Sequence, residues 1–157
     1  MLPHLDSAYN LARFLMRNEQ DAEDVVQEAS LRAFRFFESF RGENPRAWFL
    51  RIVRNTCYTV LKKNRSNEMN VVFDEELHGE TPPMSAGMAL DRTQDRQTVR
   101  AAIEQLPIEF REVITLRELE GASYKEIADV AGVPIGTVMS RLARARHQLQ
   151  TILSKTK

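Results

Sequence analysis

Apolar residues recur at spacings of three and four along nearly the whole chain, the signature of helices that each bury one side. Over residues 2–17, Leu5, Ala8, Tyr9, Ala12 and Leu15 or Met16 share a side. Asn18 to Asp21 break that pattern and supply caps for a second helix over 21–40. There Val25, Ala29, Arg32 and Phe36 mark successive turns, and Gly42 ends the helix. Asn44 followed by Pro45 is a cap and a first-turn proline, which opens a third helix to about Lys63. Residues 65–95 lose the period and hold Gly79, Pro82, Pro83, Gly87 and scattered acids, so they read as a linker. Helices resume near Asp95 to Gln105 and over 108–119, the latter ending before Gly121. Only Asn70 to Phe73 alternates like a strand, and that run is too short to count as one. The predicted fold class is all-α: two small helical domains, 1–65 and 96–157, joined by a flexible acidic linker over 66–95.

The last stretch predicts a helix-turn-helix. Ser123 and Glu126 have capping-box spacing. Ile127, Val130 and Ala131 give the helix one apolar side. Gly132 falls where the chain must leave the helix with positive φ, and Pro134 can start the next without losing a needed donor. Val138, Leu142, Ala145, Leu149 and Ile152 then form one stripe, while Thr137, Ser140, Arg141, Arg144, Arg146 and His147 lie on the other sides. Beyond Pro134 the chain has basic residues and no acid. A short helix, a tight turn and a basic second helix suit reading of the major groove.

Charge sharpens the picture only when it is resolved along the chain. Net charge is zero overall, but it is +3 over residues 1–65, −5 over 66–97 and +2 over 98–157. Residues 41–65 alone carry seven basic residues and one acid, with Phe40, Trp48, Phe49 and Tyr58 among or beside them. Basic groups attract phosphate and exposed aromatics offer stacking faces to unpaired bases. Trp48, Phe49 and Ile52 are nevertheless spaced as a buried helix face. Base contact is therefore expected near the helix start, where Gly42 and Pro45 make the backbone irregular. Upstream, residues 19–28 hold five acids and no base. That exceeds what helix capping needs, and such a patch suits a protein partner with a basic surface.

These segments together resemble the bacterial extracytoplasmic-function sigma factors of RNA polymerase. The matching motifs begin with Asp21-Ala-Glu-Asp-Val-Val-Gln-Glu28 and Leu31-Arg-Ala-Phe34. Asn44-Pro-Arg-Ala-Trp48 and Arg51-Ile-Val-Arg-Asn-Thr56 follow. Leu106-Pro107, Phe110-Arg-Glu-Val-Ile114 and Gly136-Thr-Val-Met-Ser-Arg-Leu142 with Ala143-Arg-Ala-Arg146 complete the set. The resemblance implies sigma domain two over 1–65 and sigma domain four over 96–157. It implies docking on core RNA polymerase through Asp21, Asp24, Gln27 and Glu28. Phe40, Arg41, Asn44, Arg46, Arg54 and Asn55 would recognise unpaired bases of the promoter minus-ten element. Thr137, Ser140, Arg141, Arg144 and Arg146 would read the minus-thirty-five element as duplex. The acidic linker would pass through polymerase channels otherwise used by RNA. A cognate anti-sigma factor is a further implied partner. Met139 departs from the basic residue common at its position, and an apolar group there can meet a thymine methyl.

The rival reading is a transcriptional regulator with the same helix-turn-helix and a sensor or dimerisation domain; it leaves the acids of 19–28 and the 41–65 cluster without a role. An enzyme is not expected. His4, His78 and His147 share no ligand spacing, and no phosphate loop or nucleophile motif occurs. No metal or cofactor is expected. Cys57, the single cysteine, sits within an apolar helical pattern and reads as a core residue rather than a redox sensor. A lone cysteine, no apolar run of membrane-spanning length and no signal-peptide pattern imply a cytoplasmic protein. The first helix begins almost at Met1, which leaves open a natural start further upstream.

Overall fold

Small residues set how closely the first three helices approach. In the computed structural model, which describes residues 4–40, 42, 44–70 and 91–156, α1 spans Leu5–Met16, α2 Glu19–Arg35 and α3 Pro45–Asn70. Ala8 and Ala12 of α1 and Ala22, Ala29 and Ala33 of α2 are buried where these helices cross. Phe49, Leu50 and Val53 of α3 fill the space they leave. The inward side of α2 is thus Ala22, Val25, Ala29 and Ala33; of the residues that mark its successive turns, Val25 and Ala29 face the core and Arg32 and Phe36 do not. Arg32 instead pairs with Glu28 at 3.0 Å, and Phe36 is exposed. The helix is also shorter than expected: it stops at Arg35 and passes into a 3₁₀ turn, Phe37–Ser39.

The caps follow the sequence. The Asn18 side chain accepts from the Asp21 N–H at 2.8 Å and starts α2. The Asn44 side chain accepts from the Ala47 N–H at 3.0 Å and starts α3. Residues 71–90, the centre of the expected linker, lie outside the described residues, as do Arg41 and Glu43. The ends of the expected linker are helical, because α3 continues to Asn70 and α4 already opens at Asp91, reaching Glu104.

The second half comprises α4, α5 (Ile108–Ile114), α6 (Tyr124–Ala131) and α7 (Ile135–Thr156). A π turn, Thr115–Leu119, extends α5 and ends at Gly121, whose φ of 66° lets the Ala122 N–H reach the Leu116 carbonyl. The expected stripe of α7 is inward: Val138, Leu142 and Ala145 are buried, with Leu149 and Ile152 partly so.

The two halves do not stand apart. α3 packs on α6, and α1 packs on α4 and α5, so the apolar side chains of both halves form one continuous core. Arg111 of α5 crosses this boundary and is itself buried. It donates to the Phe14 carbonyl at 2.9 Å, the Leu15 carbonyl at 3.0 Å and, within its own half, the Leu106 carbonyl at 2.8 Å. The first two acceptors are last-turn carbonyls of α1, which lack helical partners and carry the negative end of the helix dipole. Burial, and then the nearby Arg17, lower the Arg111 pKa to about 10, which still leaves it charged at neutral pH.

Candidate nucleic-acid interface

The helix-turn-helix is assembled as the sequence requires. The Ser123 side chain accepts from the Glu126 N–H at 3.0 Å, and the Glu126 carboxylate accepts from the Ser123 N–H at 3.1 Å. Gly132 closes α6 in the left-handed region at φ 72°, a conformation a side chain would strain. Pro134 precedes α7 and its carbonyl accepts from Thr137 and Val138. On the outer side of α7, Ser140 and Arg144 are exposed, and Thr137 and Arg141 are half-buried. Ile135 and Met139 add exposed apolar groups to that side. Arg146 is exposed as well, but it pairs with Glu118 of the π turn at 2.8 Å, which ties it to its own half.

The acidic residues of α2 form one stripe with apolar groups that the sequence reading did not assign to the site. Asp24 and Gln27 are exposed, while Asp21 and Glu28 are partly covered. Helical spacing continues this side into Leu31, 59% exposed, and Phe34, 80% exposed. The signal for their exposure lay in the alanines: once Ala22, Ala29 and Ala33 face the core, the larger residues between them must face out.

The expected minus-ten residues divide into two groups. Phe40 lies against Trp48 with ring centroids 5.0 Å apart, and Phe37 meets the same indole edge-on at 6.4 Å. Asn55 is exposed on α3, and Arg51 is exposed one turn before it. Arg41 lies outside the described residues. The remaining three are held by the other half. Asn44 donates to Glu126 at 2.8 Å, and Arg46 donates to the Glu120 carbonyl at 2.6 Å. Arg54 donates to Glu112 at 2.8 Å, lies 3.9 Å over the Tyr58 ring and also donates to Asn55 at 3.2 Å. Between the two halves remains a cleft of about 850 Å³, bounded by Phe40, Trp48 and Arg51 on one wall and Lys125, Glu126 and Asp129 on the other.

The electrostatics of the boundary centre on two carboxylates. Glu112 is fully buried, and it accepts from the Tyr58 hydroxyl at 2.8 Å as well as from Arg54. Burial outweighs the pull of Arg54 and Tyr58 and leaves its pKa above the usual carboxylate value. Burial disfavours the Glu126 charge too, but the Asn44 amide, the Ser123 N–H and Arg46 together hold that carboxyl below its ordinary value. Among the described residues no group of His, Cys, Asp and Glu could hold a metal ion, and no helix is long and apolar enough to cross a membrane.

Comparison with known proteins bears on the family of the chain. The Sigma-70 region 2 family model matches residues 2–67, and the Sigma-70 region 4 model matches residues 96–149. The chain is 41% identical over 137 residues to the ECF RNA polymerase sigma-E factor of Escherichia coli K12, covering 82% of this chain and 72% of that protein. It is 32% identical over 152 residues to the ECF RNA polymerase sigma factor SigE of Mycolicibacterium smegmatis; the match covers 97% of this chain but spans 59% of that relative's length. Among solved structures, the sigma factor RpoE of Bartonella quintana, crystallised in complex with the anti-sigma factor NepR, superposes with a TM-score of 0.78 at 31% identity, covering 98% of this chain and 93% of that one.

Proposed function

Because this chain belongs to the extracytoplasmic-function sigma factors of the sigma-70 family, we propose that three of its surfaces divide the work of starting transcription. The acidic–apolar stripe of α2, from Asp21 through Asp24, Gln27 and Glu28 to Leu31 and Phe34, docks on core RNA polymerase. Negative charge steers it to a basic partner, and the two apolar side chains supply burial once contact is made. The start of α3, with Phe40, Asn44, Arg46, Arg54 and Asn55, holds bases of the minus-ten element after they leave the stack. α7 enters the major groove at the minus-thirty-five element, with Ser140, Arg141 and Arg144 toward DNA and Thr137 beside them. Arg146 contributes less, since Glu118 already neutralises it.

The observation that carries this reading is the occurrence in one chain of an uncovered acidic–apolar helix side and an uncovered groove-reading helix. A duplex-binding regulator needs only the second. The chain performs no catalysis of its own; it acts with polymerase in the bacterial cytoplasm. The likeness to a sigma factor captured with its anti-sigma factor supports a partner of that kind here as well. Reconstitution provides the test. Core RNA polymerase, silent alone on a promoter fragment from the same genome, should yield a run-off transcript when the chain is added. Duplex binding without any transcript would favour the regulator reading.

A further inference from the structure

The first turns of α7 expose a patch of apolar and small residues. Ile135 is 44% exposed and Met139 51% exposed, and they stand one turn apart on the outer side. Gly136 and Ser140 lie beside them, both exposed. From Ile135 to Ser140 the chain carries no charge; its first charged residue after Pro134 is Arg141. In a helix-turn-helix the N-terminal residues of the second helix are the ones that meet base edges. We propose that this patch reads thymine: Met139, flanked by Ile135, packs on the C5-methyl group of a thymine in the minus-thirty-five element, and Gly136 lets the helix sit close enough for that contact. The inference rests on the placement of α7 in the major groove made above.

The chemistry of the groove selects the occupant. Hydrogen-bonding groups line most of the major groove, and the thymine methyl is the apolar group that a base pair presents there. A methionine has no donor and only a weak acceptor, so it cannot act as an arginine does at a guanine edge. Its unbranched, polarisable side chain adapts instead to an apolar neighbour. Apolar surface left in water by Ile135 and Met139 is covered once the methyl packs on it. Gly136 is a second, independent observation. It stands inside a helix, where glycine is less stable than alanine. Apart from its chain neighbours and the backbone of its own helix, nothing lies within 4 Å of where its Cβ would be, and its φ is not positive. Neither space nor backbone conformation within the chain therefore calls for glycine. A duplex against the outer side of α7 does, because the missing Cβ brings the backbone closer to the base edges.

The test uses holoenzyme and a promoter fragment that it transcribes, with closed-complex affinity read by competition at low temperature. Each thymine of the minus-thirty-five element is replaced in turn by deoxyuridine, which deletes the methyl and keeps every hydrogen-bonding group. For the wild type, one replacement should weaken binding about fourfold, the factor that burial of one methyl-sized group carries. Met139→Ala holoenzyme should bind the thymine and uracil fragments equally. Met139 is exposed in the free chain, so this variant should fold as the wild type does. Gly136→Ala should raise the thermal midpoint of the free chain by about 2–4 °C, since alanine suits a helix better, and yet weaken promoter binding several-fold. A wild type indifferent to every replacement, a Met139→Ala variant as sensitive as the wild type, or a Gly136→Ala variant that binds undiminished would overturn the inference. A scrambled minus-thirty-five element that binds as well as the intact one would instead overturn the placement of α7 on which the inference rests.

Discussion

Arg54 and Glu112 meet at 2.8 Å across the boundary between the halves, and their environments are unequal: the Arg54 side chain is 19% exposed and the Glu112 side chain is not exposed at all. The pair therefore does not break symmetrically. Removing Glu112 leaves a guanidinium that can turn to water. Removing Arg54 leaves a buried carboxylate still bonded to the Tyr58 hydroxyl but without its cation. Arg54→Leu should therefore cost more stability than Glu112→Gln, up to about 3–5 kcal/mol. Separation of the halves limits the loss, because an opened Glu112 is hydrated. Urea unfolding of both variants gives the comparison; equal losses would mean that Glu112 is not buried in solution as it is here.

Arg111 makes a second cross-boundary claim. Its planar fork reaches carbonyls of Phe14, Leu15 and Leu106 at once, a geometry that an ammonium group cannot reproduce. Arg111→Lys keeps the charge yet should destabilise the chain by about 1.5–3 kcal/mol for each bond it fails to remake. The loss should appear as a lower thermal midpoint with unchanged far-ultraviolet dichroism at low temperature. A midpoint within a degree of wild type would show that the fork geometry contributes little.

Much of the fold was legible because its signals are local. The capping box of Ser123 and Glu126, the left-handed Gly132 and the inward stripe of α7 all follow from residues within a few positions of one another. The inward side of α2 was less legible for a physical reason. Large apolar residues are the usual mark of a core side, but α1, α2 and α3 approach closely enough that alanine is what fits between them. The closure of the halves was not legible at all. Arg54 and Glu112, or Asn44 and Glu126, are far apart in sequence, and each alone reads as part of a solvated face. The stripe on α2 was half legible: charge marked Asp24 and Glu28, whereas the exposure of Leu31 and Phe34 had to come from packing.

That stripe separates binding from folding. Phe34 is 80% exposed, so Phe34→Ala should change stability by no more than about 0.5 kcal/mol. Affinity for core polymerase should fall nonetheless, because the lost side chain would be buried in the complex. Asp24→Lys combined with Glu28→Lys should weaken the same complex further, most at low salt, where charge reversal is least screened. Fluorescence anisotropy of labelled chain titrated with core enzyme reads both. Undiminished affinity in the charge-reversed variant at moderate salt would remove α2 from the interface.

Cys57 should be chemically silent. It is fully buried, and burial, reinforced by the Glu112 charge, pushes its pKa up to about 12. Since the thiolate is the reactive form, about one thiol in ten thousand is ionised at pH 8. Native protein should resist a chromogenic disulfide reagent for hours, and denaturant should release one equivalent at once. Rapid reaction of the folded chain would mean that the core around α3 opens far more readily than its packing implies.

The division of labour between α3 and α7 is the centre of the account, and strand opening tests it most directly. Open-complex yield is measured by permanganate footprinting with holoenzyme, on a promoter it transcribes, using fully paired template and template pre-melted at the minus-ten element. Arg144→Ala removes an exposed group from the side of α7 proposed to read the duplex and should depress opening on both templates, by about 1–3 kcal/mol in binding if a base contact is lost. Asn55→Ala should leave closed binding intact and depress opening on the paired template, where extruding each base costs a few kcal/mol that pocket contacts must offset. Pre-melting should restore much of that activity. Equal loss on both templates, or loss on neither, would contradict the assignment of α3 to the unpaired strand.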